Sequence, residues 1–341
     1  MKIGLLLDPY GEESPGGLGR AIFEMTRGIR DGDHLNTYTV YTKKAMGVKS
    51  MFLQGARKMD RTLDLYIFFT PIIPIFFFPK RSIVVVHDFA YLELPGRSLK
   101  QKLSSMVLYC AHALSLWKAT KIVAVSRTAK ESTVRHFGVN PEKIQVVYNG
   151  FIALPVEIEP MPTPEHFFLF AGVLKERKNV SGIIRAFALF AQSNTTHELL
   201  IAGKQGGVYA DSLVALALEL GVESRVRFLG YVSDGQLAYL YQKAQALVFA
   251  SFIEGFGMPL LEAMHAGLPV ITSNKGALAE VADDAALLVD PASPEKIAAA
   301  MERIATDALL RAALKEKGYA RAKEFSWEEN AKRFIEVIHS I

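Results

Sequence analysis

Glu254-Gly-Phe-Gly-Met-Pro-Leu-Leu-Glu262-Ala-Met-His-Ala-Gly-Leu-Pro269 is the stretch from which the rest of this chain is read. An apolar run, Ala246 to Ser251, precedes it with the length and composition of a buried strand. Gly255 and Gly257 then open the backbone, and Pro259 stands where the first turn of a helix begins. Leu260 to Ala266 is helix-forming, Gly267 and Pro269 stop it, and Val270 to Ser273 reads as the next strand. The stretch is therefore one βαβ unit with a glycine loop at its turn. Backbone N–H groups at the start of such a helix have no intrahelical partner and form an anion site.

Two carboxylates distinguish this site from a plain phosphate cradle. Glu254 lies in the loop and Glu262 about one turn into the helix, so they do not form a side-by-side acid/base pair. They suit two separate hydroxyl-bearing parts of one ligand with a diphosphate between them, each charged hydrogen bond contributing about 1.5–3 kcal/mol. Taken singly, Glu254 would be a turn residue and Glu262 a solvated helix residue. The glycines and the proline set between them favour the ligand reading.

The pattern E-G-F-G-x-P-x-x-E-A-M-x-x-G-x-P-V, from Glu254 to Val270, resembles the E-x7-E signature of retaining glycosyltransferases of family 4. The resemblance implies an α/β chain of the GT-B fold, two doubly wound Rossmann-like domains facing across a cleft. It further implies that Glu254 contacts the transferred sugar and Glu262 the nucleotide ribose. Gly255, Phe256, Gly257 and Met258 would line the donor.

At 341 residues the chain is long enough for two domains with sizeable cores, and 50% hydrophobic with 22% charged residues is ordinary for a globular protein. A single cysteine, Cys110, rules out a disulfide framework and a cysteine metal cluster and fits a reducing compartment. It sits in an apolar helical stretch and is expected in the core. The first residues, Met1 to Asp8, are apolar too briefly for a signal peptide and read as a strand, so a cytoplasmic location is expected. Leu65 to Phe78 is too short to span a membrane, and Pro71 and Pro74 interrupt it; a buried strand followed by an apolar loop is expected. Residues 1–150 hold 21 Lys/Arg and 12 Asp/Glu, a charge of +9, and the remaining 18 basic and 23 acidic residues give −5. The basic first half points to an anionic partner, and no aromatic-and-basic reader motif accompanies it that would indicate nucleic acid.

In chain order, strand Lys2–Leu7 leads into a glycine-rich loop through Arg20, with helix expected from Ala21 to Ile29. Gly16, Gly17 and Gly19 make either a flexible turn or a phosphate loop; the spacing departs from the dinucleotide fingerprint. The family resemblance implies that Gly17 and Gly19 close over the donor, with Arg20 close by. The β-branched run from Ile83 ends in His87 and Asp88, at the strand edge where α/β domains build sites. His87 could be a satisfied structural histidine; the resemblance places His87 and Asp88 on the acceptor side, with His87 at the chemistry. Residues 97–117 are helical, with Arg97, Lys100 and Lys102 at the start. A core helix with a basic end is expected, the alternative being an amphipathic segment on anionic lipid. Ser126, at the end of strand Lys121–Ser126, resembles the family's strand-end serine on the acceptor side and could equally be the N-cap of the helix that follows.

Prolines at 155, 160, 162 and 164 mark a stiff linker, which places the boundary between domains 1–155 and 156–325. The second domain opens with a strand, Phe167–Phe170, then Gly172 and the cations Arg177 and Lys178 ahead of Asn179 and a helix. Adjacent cations before a helix start would neutralise a departing diphosphate; the alternative is a solvated basic loop. The family's R-K-N variant assigns Arg177 and Lys178 to the donor diphosphate. Gly203 closes a strand-and-turn, and Gly230-Tyr231-Val resembles the base-binding segment. Asp283 stands where the family often has glycine. Residues 326–341 would, by resemblance, cross back to the first domain.

The reading is a metal-independent retaining hexosyltransferase with no cofactor, its co-substrate a nucleotide-diphosphate sugar. The R-K-N variant and His87-Asp88 resemble mannosyltransferases of surface-polysaccharide biosynthesis, which implies GDP-mannose as donor. The acceptor would be a glycan or polyprenyl-diphosphate-linked glycan, met by the basic first domain at an anionic membrane surface. The rivals are a GT-B nucleotide-sugar epimerase and a non-catalytic nucleotide-sugar-binding protein.

Overall fold

In a computed structural model, the structure describes residues 1–7, 17–42, 59–74, 76–93, 99–155, 157–204 and 207–341. Gly16, with the loop before it, and Arg97 lie outside the described residues, as does the side chain of Lys100. Contacts divide the chain into two units, Met1–Phe151 with Phe325–Ile341, and Ile152–Glu324.

The first unit runs β1 (Lys2–Leu7), α1 (Gly17–Gly32), β2 (Thr37–Thr42), β3 (Leu65–Phe68), β4 (Ser82–Val86), α2 (Ala90–Glu93), α3 (Leu99–Lys118), β5 (Lys121–Ala124), α4 (Arg127–Phe137) and β6 (Ile144–Val146). Its strands form a parallel sheet in the order β2-β1-β3-β4-β5-β6. β3 and β4 are buried along their whole length, as continuous apolar runs in a sheet covered on both faces should be.

The second unit runs β7 (Phe167–Ala171), a 3-10 turn (Glu176–Lys178), α5 (Val180–Ala191), β8 (Glu198–Ala202), α6 (Val208–Glu219), β9 (Val226–Gly230), α7 (Asp234–Lys243), β10 (Ala246–Phe249), α8 (Met258–His265), β11 (Val270–Ser273), α9 (Gly276–Ala282), β12 (Leu287–Val289), α10 (Pro294–Thr306) and α11 (Ala308–Ala322). Its strands are also all parallel, in the order β12-β11-β10-β7-β8-β9. Counted from β7, that is the doubly wound order 3-2-1-4-5-6, in which strand order reverses between the first and fourth strands, here β7 and β10. The helix starts carry local signals: Ser233 and Gln236 form a reciprocal capping box on α7, and Ser293 caps α10 with Pro294 in its first turn.

A last helix, α12 (Trp327–His339), belongs to the first unit. Its Asn330 Nδ2 donates to the Tyr148 carbonyl at 2.7 Å, and Phe325 meets Tyr148 edge to face. Its buried stripe, Ala331, Phe334, Val337 and Ile338, has the helical period and packs against α1.

Several expectations need correcting. Gly17 and Gly19 are not loop residues: α1 begins at Gly17, so both lie in its first turn, where backbone N–H groups lack intrahelical partners. α3 is not a core helix. It buries His112, Ser115 and Leu116 near its end, while Leu103, Met106, Val107 and Trp117 stand exposed, as does Cys110. The apolar residues at 103, 106, 107 and 110 share one face, and that is the face not packed on the sheet. Beyond β3, Phe77 is buried but Phe76 and Phe78 are exposed, and Lys118 Nζ sits 3.8 Å over the Phe78 ring. Among the described residues no helix is long and apolar enough to cross a membrane.

Candidate functional site

The strongest cluster of functional groups forms where the second sheet reverses. β7 ends against Gly172, whose N–H donates to the Ala202 carbonyl at the end of β8; Gly203 N–H donates to the Gly230 carbonyl at the end of β9. A side chain at Gly203 would collide with the Gly172 carbonyl oxygen. The carboxyl ends of three adjacent strands are thereby a bare backbone shelf.

Two loops bring charge to this shelf. The loop after β7 carries Arg177 and Lys178; the loop after β10 carries Glu254. The Phe252 N–H donates to the Arg177 carbonyl at 2.9 Å and joins them. Glu254 Oε2 accepts from Arg177 Nη1 at 2.9 Å, and Oε1 from Lys178 Nζ at 2.9 Å and Ser251 Oγ at 3.1 Å. Arg177 Nη1 also donates to the Ile253 carbonyl. The ions are largely withdrawn from solvent: the Lys178 side chain is 11% exposed and that of Glu254 10%. Lys178 Nζ further lies 4.6 Å from the centroid of the Phe249 ring, beneath which Phe170 is stacked. Burial pushes the Glu254 carboxyl up, but the charges and hydrogen bonds of Lys178 and Arg177 more than offset it and hold the group below its ordinary pKa. A buried anion with two cations and a hydroxyl is costly to assemble for stability alone.

Beside this cluster, α8 starts at Met258, and Gly257 before it has φ 108°, a left-handed conformation that glycine adopts without penalty. Leu278 packs where a Gly257 side chain would go. Phe256, expected to line the donor, is buried at 5% exposure; its side chain is part of the core and only its backbone can serve the loop. Glu262 stands on α8 next to Tyr241 of α7. Burial, with the Glu262 carboxylate charge beside it, raises the Tyr241 hydroxyl well above its ordinary pKa. Tyr231 follows β9 and is 71% exposed.

The first unit treats its strand-end polar residues differently. His87 Nε2 lies 3.0 Å from the Phe69 carbonyl, which can only accept, so the proton is on Nε2 and Nδ1 is left as the acceptor. Burial pulls His87 below its usual pKa, with the Phe69 bond and the Asp88 charge opposing. Asp88 Oδ1 accepts from the Ala90 N–H and starts α2. Ser126 is fully buried and its Oγ accepts from Ala129 N–H as the N-cap of α4. The cap that its sequence position allowed is therefore present.

Four further residues take places at the site to which the sequence reading gave no role. Ser251 is buried and bonds Glu254; Phe249 underlies Lys178; Tyr241 faces Glu262. Asn179 is buried with φ 56°, and its Nδ2 donates to the Ala250 and Pro291 carbonyls at 3.0 and 2.6 Å. It thereby pins the cation turn to the ends of β10 and β12. Besides its place in the R-K-N run, a second sequence signal marks it: Gly182, three residues on, whose missing side chain makes room for the Asn179 amide.

Comparison with known proteins gives consistent likenesses. Residues 156–321 match the family model "Glycosyl transferases group 1" and residues 63–152 match "Glycosyltransferase Family 4". The chain is 32% identical over 272 residues to O-antigen chain mannosyltransferase B of Escherichia coli, covering 75% of this chain and 70% of that protein. It is 29% identical over 225 residues to O-antigen chain mannosyltransferase RfbU of Salmonella typhimurium, covering 66% of this chain and 61% of that one. Among solved structures, sucrose-phosphate synthase from Thermosynechococcus elongatus superposes with a TM-score of 0.78 at 18% identity, over 100% of this chain and 98% of that chain; at such identity the shared feature is the fold.

Proposed function

Given that the chain belongs to the group 1, family 4 glycosyltransferases of the GT-B fold, we propose that it is a retaining mannosyltransferase that uses GDP-mannose without a metal ion. The observation that carries this reading is the buried cluster of Glu254 with Arg177 and Lys178 at the reversal of the second sheet. In this reading the second unit holds the donor. Arg177, Lys178 and the first-turn N–H groups of α8 meet the diphosphate, and Glu262 accepts from the ribose hydroxyls. Glu254 orients the sugar. The anomeric C–O bond to the diphosphate breaks and a bond to the acceptor oxygen forms on the same face. The acceptor proton passes to the departing phosphate oxygen. His87, with Asp88, works on the acceptor side in the first unit. Two cations already at the diphosphate position support metal independence, because they supply the charge a divalent ion would otherwise bring.

The acceptor class is a lipid-linked glycan at the cytoplasmic face of a membrane. The mannosyltransferase names of the relatives and the +9 charge of residues 1–150 support it. So does the exposed apolar face of α3 with Phe76 and Phe78, which fits an anionic bilayer surface.

The test is a thermal-shift panel of GDP-, UDP-, ADP- and dTDP-sugars, since a ligand that binds only the folded state raises its stability with concentration. GDP-mannose should give the largest shift. Transfer to a polyprenyl-diphosphate-linked glycan should then give the α-anomer and persist in EDTA. Stabilisation by another nucleotide sugar reassigns the donor. Binding without transfer to any acceptor favours a non-catalytic binding protein, and release of a free epimerised sugar nucleotide favours an epimerase.

A further inference from the structure

Glu254 does more than wait for the sugar. Both of its oxygens are occupied, Oε1 by Lys178 and Ser251 and Oε2 by Arg177. These are the same N–H groups that a diphosphate would need. Lys178 Nζ lies against Glu254 and the Phe249 ring, in a side chain that is 11% exposed. Glu254 thus engages Arg177 Nη1 and Lys178 Nζ, donors that a bound diphosphate would also draw on, so the two acceptors compete for them.

We infer that Glu254 is a place-holder that makes the site discriminate the sugar nucleotide from the nucleoside diphosphate left after transfer. The inference rests on the donor-site reading above. When a sugar nucleotide binds, its diphosphate displaces the carboxylate from the cations and its sugar hydroxyls give that carboxylate new donors. When a nucleoside diphosphate binds, the cations are satisfied but Glu254 is left as a largely buried anion with only the Ser251 hydroxyl to bond it and a dianion beside it. The product thus binds at a penalty that the substrate escapes. Once the sugar has gone, the return of Glu254 to Arg177 and Lys178 helps to expel what remains. Simple charge attraction would predict the reverse preference, because the free nucleoside diphosphate is the more negative ligand.

Calorimetric titration of wild type and Glu254→Gln with pyrophosphate, GDP and GDP-mannose, in the absence of acceptor, tests this. Glutamine keeps the shape and removes the competing charge. Pyrophosphate and GDP should bind Glu254→Gln about tenfold more tightly or better, a gain of the order of one charged hydrogen bond. GDP-mannose should gain nothing, so its advantage over GDP collapses. Ser251→Ala, which loosens the carboxylate without touching either cation, should tighten pyrophosphate by a smaller factor and serves if Glu254→Gln folds poorly. Unchanged or weaker pyrophosphate binding in the folded variants overturns the inference and shows that Glu254 supports the cations. Arg177→Ala and Lys178→Ala separate the two levels. If they keep full pyrophosphate affinity, the donor-site reading itself falls; if they lose it while Glu254→Gln gains nothing, only the place-holder role falls.

Discussion

The two sheets share an architecture and end in opposite ways. At the carboxyl edge of the second, Arg177, Lys178 and Glu254 come from loops 76 and 77 residues apart and satisfy one another in a largely buried cluster. At that edge of the first, His87, Asp88 and Ser126 each bond backbone of their own unit: the Phe69 carbonyl, the Ala90 N–H and the Ala129 N–H. A capped polar residue is part of the scaffold and holds still. Ions held chiefly by one another can be separated by a ligand that offers each a better partner. On the reading proposed above, the second edge exchanges partners while the first presents a fixed surface.

Five outcomes would break or sharpen that contrast. Lys178→Ala should lower kcat by about a hundredfold to a thousandfold, as expected for loss of a charge aimed at the leaving group, with near-unchanged circular dichroism. Full activity would move the diphosphate site elsewhere. Next comes a pH effect on the first unit. Burial pulls His112 down to about 4, so the folded state resists protonation that the unfolded chain accepts. Stability is complete above about pH 6.5 and falls by about 3 kcal/mol as pH drops to 4. Denaturant titrations of wild type and His112→Leu should show this pH-dependent loss shrinking in the variant.

Glu262→Gln should raise the donor Kd by about ten- to a hundredfold with little change in kcat, the loss of a charged hydrogen bond. An unaltered Kd removes its ribose role. His87→Asn should cut kcat/KM for the acceptor by about tenfold, of the size of one general acid–base or hydrogen-bond contribution, and leave GDP affinity alone. A changed GDP affinity would mean that the two edges are not independent. The smallest effect concerns neither edge. Asp283 holds φ 48° and ψ −129°, a region that favours glycine, so Asp283→Gly should stabilise the second unit by about 1 kcal/mol in thermal unfolding.

Much of this could be read along the chain. Strand Lys2–Leu7 and the turn from β10 through α8 to β11 follow from local patterns of apolar runs, glycine and proline. Ser126 was legible as a cap because a cap is a local event, three residues from its partner. α3 was misread for the opposite reason. Composition marks a helix as apolar, but which of its faces the sheet covers is not a property of the helix, and here Leu103, Met106 and Val107 stay outside.

The sequence alone determined that this is an alternating α/β chain, that Glu254 and Glu262 flank a helix start, and that two cations precede another. Periodicity, glycine and proline act through neighbours in the chain, so those signals survive without coordinates. Only the tertiary structure decided that Arg177, Lys178, Ser251 and Glu254 close into one cluster, that Asn179 anchors it, and that Phe256 is core. Each depends on strands β7 and β10, distant in sequence, lying side by side in the sheet; at that junction, burial turns separately unremarkable polar residues into a single coupled site.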